Sequence, residues 1–556
     1  MLLIFLSWCY ILFTAYNLGY AVDKTARLKC GNFVTIVFLG LVAAPMIASM
    51  WAIFGRINIE FHCFLLLCNL VLFFVYRIPI LNEYRLLRTQ LTSFRKTSKW
   101  YLILILLLLL VQSAAPSHSI DNETYYIQTI KWLNKYGFVN GLANLHIFLG
   151  QTSGWHVLQS AFDFSFLYGN FNDLNGFCLL LGNLFVLQKS ENQDSPAFLV
   201  FFPLANLLLF PFVGAPSPDL AVCVIGLMVF FYFLERFENC TSQSFNIIFI
   251  FSAFLVFVKI TAWPILLFPI SLLLLNFRKM VRHIAVSYIF GMLILTLLVL
   301  KNTILTGYPL FPSAFMSEIV ASDFKLPAAS YNFWFNNVKL YDFIVTRTQY
   351  NHLGAGPILM RWLLNSGIDS IFNCAIVFFV LILPIIIWRK FNYKKYWILY
   401  LGLVLQVIFM FMTSPQFRFA LHFILFFTLL IASVFITNKN AIAALTYISI
   451  IGIFILVLVP IPSQPDIFTT NRFSAENIIF PCRNSNLKTI LHPEKMGDLQ
   501  YISPDHSTFI WATGDGDLPC VSQTQLRFLE RKTGYIPQQR TNDLPDGFRA
   551  MKTPKK

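Results

Sequence analysis

Charge is scarce in this chain, and the charged residues that could do chemistry stand where apolar runs end. Asp121 and Glu123 lie in Ser-His-Ser-Ile-Asp-Asn-Glu-Thr-Tyr-Tyr, residues 117–126, about six residues past one such run. A carboxylate placed there could act as general base on an acceptor hydroxyl. With Glu123 it could instead hold a divalent cation, Mg or Mn, the one cofactor this spacing suits. It could also open a helix over 122–136, with Asp121 as cap and Glu123 in the first turn. Asp219, in Ala-Pro-Ser-Pro-Asp-Leu-Ala, poses the same choice: a helix cap, or a charge facing a cavity at the mouth of a span. Among the cations, Lys259 separates two short apolar runs and Arg418 follows Ser-Pro-Gln-Phe. A guanidinium takes phosphate oxygens two at a time, and an ammonium so placed either meets phosphate or snorkels to the surface. Lys301 and Tyr308 belong to a Gly/Pro-ordered exit, Lys-Asn-Thr-Ile-Leu-Thr-Gly-Tyr-Pro, that either lines the same cavity or is a rigid turn. His118, Tyr125 and His146 complete the expected substrate-contact set. His146 and His156 are ten residues apart, too far to form a metal pair on one helical face.

The elements that must position these groups are transmembrane. The chain has 556 residues, 57% hydrophobic and only 12% charged. Its mean hydropathy is +0.66. Soluble domains carry about 25% charged residues, so a soluble enzyme is excluded, and so is a disordered chain. Apolar runs near 1–22, 33–54, 61–78, 100–115, 174–188, 196–214, 219–235, 246–259, 263–276, 283–300, 371–388, 397–412, 418–437 and 441–460 predict an all-α polytopic membrane protein. That is about fourteen transmembrane helices. The first run has no basic leader and reads as a retained span.

The formal net charge of +15 is topological. Lys24, Arg27, Arg85, Arg88, Lys189, Arg236, Lys279, Arg282, Arg389, Lys394 and Lys439 fall after every second run, while Arg56 and Arg418 stand almost alone in the opposite short loops. The positive-inside rule then puts loops 116–173 and 301–370 and the tail 461–556 outside a plasma (bacterial inner) membrane. No nucleic-acid partner is expected. Three regions result: accessory helices over 1–99, a membrane core over 100–460, and a small extracytoplasmic C-terminal α/β domain over 461–556. Eight of ten cysteines sit in or near spans. Cys482 and Cys520 stand alone in the tail, where an oxidising compartment would pair them as a disulfide. No Cys/His spacing calls for zinc.

This arrangement resembles the GT-C superfamily of membrane glycosyltransferases, which use polyprenyl-phosphate-linked sugars. The likeness covers about residues 100–420. It rests on an acidic residue in the first large outer loop, a second after Ser-Pro, the short pair around Lys259, a Gly-Tyr-Pro-x-x-Pro loop and an Arg before a late span. More narrowly, Leu-Ser-Trp-Cys-Tyr-Ile-Leu at 6–12, Gly-Leu-Ala-Asn-Leu-His at 141–146 and Gly-Asp-Leu-Pro-Cys at 516–520 look like an uncharacterised family of bacterial multi-pass envelope proteins. The resemblance implies a GT-C-like core, Asp121 as base or metal ligand, and Arg418 and Lys259 on the lipid-linked phosphate. The membrane, a polyprenyl-phosphate sugar and a glycan, lipid or protein acceptor would be its partners. Asp-Asn-Glu here is neither Asp-x-Asp nor an Asp-Glu pair. Two rivals are carried forward. A lipid-linked oligosaccharide polymerase or ligase would use Arg347, His352 and Arg361. A transporter or flippase would show deep polar residues and repeats.

Overall fold

The computed structural model describes residues 1–168, 172–190, 196–281, 284–391, 393–459, 466–470, 472–505 and 509–553. Arg282 and the expected domain boundary at 460–461 lie outside them. The protein is mostly helical, with a small strand-bearing C-terminal region. Among the described residues nine helices are long and apolar enough to cross a membrane: Leu2–Thr25, Phe33–Ala52, Lys96–Ala114, Pro218–Arg236, Ala285–Thr306, Ile368–Phe391, Lys394–Thr413, Phe417–Phe435 and Lys439–Leu458.

The other five expected spans fall on helices that are shorter or broken. Ile59–Val75 turns through 88° into Arg77–Ser93. The helix Leu174–Ser190 has 17 residues, at the lower end of the spanning range. Ala197–Phe212, Ser242–Val258 and Ile260–Leu275 are short as well. The last two are parted at Lys259, whose extended backbone (φ −151°, ψ 112°) cannot continue a helix.

Helix starts follow ordinary capping. Asn32 accepts a hydrogen bond from the Thr35 N–H at 3.0 Å, and Thr241 with Ser244 forms a capping box. The first two helices pack backbone to backbone. A Cβ on Gly19 would lie 1.8 Å from the Ile36 carbonyl oxygen, and one on Gly40 would lie 1.7 Å from that of Ala15. Only glycine permits that approach. Helix Pro218–Arg236 is buried almost all round and forms the centre of the bundle. Peripheral helices turn large apolar side chains outward, among them Ile289, Leu381 and Ile451.

The C-terminal region holds two antiparallel hairpins, Leu491–Met496 with Leu499–Pro504 and Tyr535–Gln539 with Phe548–Lys552, and a helix, Gln523–Thr533. It is docked on the loop after helix Lys96–Ala114. Gln128 donates to the Gly514 and Gly516 carbonyls at 3.0 Å, Lys131 pairs with Asp515 at 2.6 Å, and the Phe548 N–H donates to the Asn140 carbonyl at 2.9 Å.

The segment 122–136 and the two tail cysteines are placed as follows. Segment 122–136 is a π-turn, Asn122–Tyr126, running into helix Ile127–Tyr136. It is buried under the C-terminal region, with Gln128 and Lys131 bonded to 514–516. Cys482 and Cys520 are both free thiols. The Cys482 N–H is fixed to the Ala114 carbonyl at 2.9 Å, whereas the Cys520 thiol donates to the Thr513 carbonyl at 3.0 Å. Their local contacts hold them in separate places.

Candidate functional site

A cavity of about 430 Å³ opens where several helix ends meet. The residue after helix Lys96–Ala114 and its loop (Asp121), the start of Pro218–Arg236 (Asp219), the break at Lys259, the last turns of Ala285–Thr306 (Lys301) and the turn before Leu421–Phe435 (Arg418) all line it. Basic residues stand at the far ends of Lys96–Ala114, Pro218–Arg236 and Lys394–Thr413, the last of which also lines the cavity through Thr413: Lys96 and Lys99, Arg236, Lys394 and Lys395. The bundle is therefore polarised, with the cavity at one end and the basic residues at the other.

Four of the five lining charges pair off on the cavity floor. Arg418 donates through Nη1 to Asp121 Oδ2, and its Nε donates to Gln416 Oε1 at 2.6 Å. Lys259 pairs with Asp219 Oδ1, and its ammonium lies 4.5 Å from the centre of the Phe419 ring. The Tyr126 hydroxyl reaches Asp121 Oδ2 at 3.4 Å, a long contact. Burial pushes the Asp121 carboxyl up, but the Arg418 guanidinium and Lys259 ammonium outweigh it and hold it below the usual carboxylate range. Neither acid caps a helix. Asp121 makes no cap bond to the π-turn, and Ser217, not Asp219, is the N-cap residue of Pro218–Arg236.

Helical spacing explains why Glu123 is elsewhere. Residues 121 and 125 share a face, whereas 123 points away from them. Glu123 is buried against the C-terminal region, accepting from the Ser485 hydroxyl at 2.6 Å and the Asn486 N–H at 2.8 Å. Asp121 and Glu123 do not form the pair that would chelate a cation between them. Among the described residues no group of three or more His, Cys, Asp or Glu could hold a metal. Glu123 instead latches two parts of the chain together.

Burial raises the Glu123 carboxyl to about 7 despite its two donors. The folded protein then keeps a proton that the unfolded chain releases above about 4.5, so this contribution is full below pH 4.5 and is lost as pH rises through 7. Thermal melts of wild type are expected to fall across that window, and Glu123→Gln, permanently neutral, is expected to flatten the profile. An unchanged slope in the variant would show that another group carries it.

Of the expected substrate-contact residues, only Tyr125 lines the cavity. His118 packs on Phe468, ring centres 5.6 Å apart. His146 lies behind the wall, its Nδ1 accepting from the Phe148 N–H at 3.3 Å, and burial lowers its imidazole to about 4, so it is neutral. Tyr308 stacks on Tyr331 at 4.9 Å and donates to the Leu326 carbonyl at 3.1 Å, in a separate apolar cluster. Lys301 does reach the cavity, where it donates to the Thr152 carbonyl. Arg347 and Arg361 are exposed and bind the Asn336 and Ile344 carbonyls at 3.0 and 3.4 Å; with exposed His352 they lie outside the cavity lining.

Several lining residues had no local signal in the sequence. Gln416 orients Arg418. Phe148, Trp334, Phe509 and Trp511 supply an aromatic wall, the last two from the C-terminal region. His156 was visible only as an isolated imidazole. Its Nδ1 accepts from the Ser153 N–H at 3.3 Å, and its buried Nε2 has no hydrogen-bond partner.

A family model described as "Domain of unknown function (DUF8201)" matches residues 1–425, and the chain belongs to that family. No curated protein matches, and no solved structure matches.

Proposed function

We propose that this DUF8201 member is a multi-pass membrane glycosyltransferase of GT-C type, moving a sugar from a polyprenyl-phosphate donor to an acceptor hydroxyl on the outer face of the membrane. One observation carries the reading: three cations and two carboxylates, four of them in two ion pairs, surround one cavity at the end of the apolar bundle opposite its basic residues. The exposed apolar helix faces suit lipid, and the positive-inside rule places the cavity end outside. Nucleotide sugars are not at hand there, so a lipid-borne donor suits the location.

The charges divide the labour. Arg418 and Lys259 take the donor phosphate oxygens. As Arg418 turns to phosphate, Asp121 is released and accepts the acceptor hydroxyl proton. The acceptor oxygen forms a bond to the anomeric carbon from the face opposite the phosphate, and the bond from that carbon to phosphate oxygen breaks. Polyprenyl phosphate departs with its charge held by the two cations. Asp219 keeps Lys259 in position. A polymerase or ligase built on Arg347, His352 and Arg361 would need those residues in the cavity, where they are not.

The test uses purified full-length protein in nanodiscs with a set of radiolabelled polyprenyl-phosphate sugars. Release of label from at least one donor, lost in Arg418→Ala, is the expected result. Polyprenyl phosphate that neither binds nor competes with any donor would overturn the reading.

A further inference from the structure

A continuous series of ring contacts leads from the charged floor to the C-terminal region. Tyr126 and Tyr125 have ring centres 4.6 Å apart, Tyr125 and Phe148 5.4 Å, and Phe148 and Trp511 5.9 Å. Trp334 buttresses the far end, 4.7 Å from Phe148 and 5.3 Å from Trp511. Tyr125, Tyr126, Phe148, Trp334 and Trp511 all line the cavity.

His156 lines the same cavity, its ring 4.7 Å from that of Tyr126 and 5.8 Å from that of Tyr125. Because Nδ1 accepts from the Ser153 N–H, the neutral ring carries its hydrogen on Nε2. That N–H is fully buried and unmatched. A buried donor without a partner costs roughly 1–3 kcal/mol and calls for an explanation, of which a ligand oxygen is one.

Two kinds of ligand suit aromatic walls. A hydrocarbon chain would cover the rings but leave the His156 N–H unmatched. A pyranose ring presents a C–H face to an electron-rich aromatic surface and hydroxyls at its edge to a fixed donor. The combination of a ring wall and one orphaned N–H favours the pyranose.

We infer that Tyr125, Phe148 and Trp511, with the Nε2–H of His156, form the acceptor subsite for a hexopyranose, so that the C-terminal region selects the acceptor through Trp511. The word acceptor rests on the glycosyltransferase reading; saccharide binding does not. The two ion pairs and Tyr125, Phe148 and His156 lie within the family-matched residues 1–425, whereas Trp511 lies beyond them and is the one contact of the subsite that the C-terminal region supplies.

The test is saturation-transfer NMR on the full chain in nanodiscs, with methyl glucoside, galactoside, mannoside and N-acetylglucosaminide as probes. Polyprenyl phosphate affinity is measured on the same preparations. Wild type is expected to transfer saturation to the ring protons of at least one glycoside. In Trp511→Ala and His156→Gln the ratio of glycoside to polyprenyl phosphate affinity is expected to fall about tenfold, the scale of one aromatic contact or hydrogen bond. Trp511→Phe, which keeps a ring, is expected to recover most of it and shows that the alanine effect is not collapse of the wall. No glycoside signal in wild type, or an undiminished ratio in both variants, overturns the inference. Loss of polyprenyl phosphate instead of glycoside also overturns it, because the wall would then hold the isoprenoid chain. Wild type that binds a glycoside but no polyprenyl phosphate sinks the donor reading and leaves the saccharide site standing.

Discussion

Asp121→Asn is expected to bind polyprenyl phosphate more tightly than wild type and to transfer no sugar. Both halves come from one geometry. Asp121 is the direct counter-ion of Arg418, so a phosphate must compete with it for the guanidinium. Asparagine has similar shape and can still accept from Arg418, but it carries no charge and competes less. Removing that rival is expected to strengthen phosphate binding by about two- to fivefold, the scale of one partly exposed ion pair. Turnover is expected to fall by about 10²–10⁴, the usual contribution of a general base. The same competition orders the reaction. Until phosphate draws Arg418 away, Asp121 is held ionised by the two cations and is a weak base. Label transfer and a polyprenyl phosphate isotherm on the same sample give both quantities. Full transfer by the variant would remove Asp121 from the mechanism, and weaker phosphate binding would show that it organises Arg418 rather than competing for it.

The second large effect concerns stability. Asp219 has only 4% of its side chain exposed, and Lys259 18%. Lys259→Met strands a buried carboxylate at the centre of the bundle, and truncating one member of such a pair costs about 3–5 kcal/mol. Replacing both members with apolar groups is often neutral or better, so Lys259→Met with Asp219→Leu is expected to regain most of the loss. Phosphate binding is not expected to return with it, because the ammonium is gone. Unfolding in denaturant measures the first result and the polyprenyl phosphate isotherm the second. A double variant as unstable as the single would mean that the pair is not the energetic unit.

Asp121, Asp219, Lys259 and Arg418 were each legible in the sequence for one reason: a charge beside an apolar run is conspicuous. Their convergence on one cavity was not, because Asp121 and Arg418 are brought together only by tertiary packing. Glu123 shared the local signal of Asp121, yet helical spacing sends it to the opposite face, where it binds Ser485. Nine of the expected spans are long apolar helices among the described residues, and the others were read where hydropathy was high but helix length was not. Lys259 and the bend after Val75 divide apolar stretches that composition alone reads as membrane-crossing. The two tail cysteines invited pairing because composition cannot convey distance. Trp511 went unnoticed because the tail reads as a domain of its own, and nothing in its residues says that it completes a cavity begun some 390 positions earlier.

That separation has a consequence for how the protein is made. A ribosome that has delivered Asp121 needs on the order of 20–80 s more, at usual synthesis rates, to deliver Trp511. Throughout that interval the bundle is being assembled while its cavity lacks one wall. A lone guanidinium or ammonium in such a half-built bundle would attract any passing anion. Here two of the three lining cations have a carboxylate to close on as soon as their helices arrive: Lys259 meets Asp219 early, and Arg418 meets Asp121 later, while Lys301 closes on the Thr152 carbonyl. Each cation of the nascent site is thus matched by an oxygen of the chain's own until the final wall is in place.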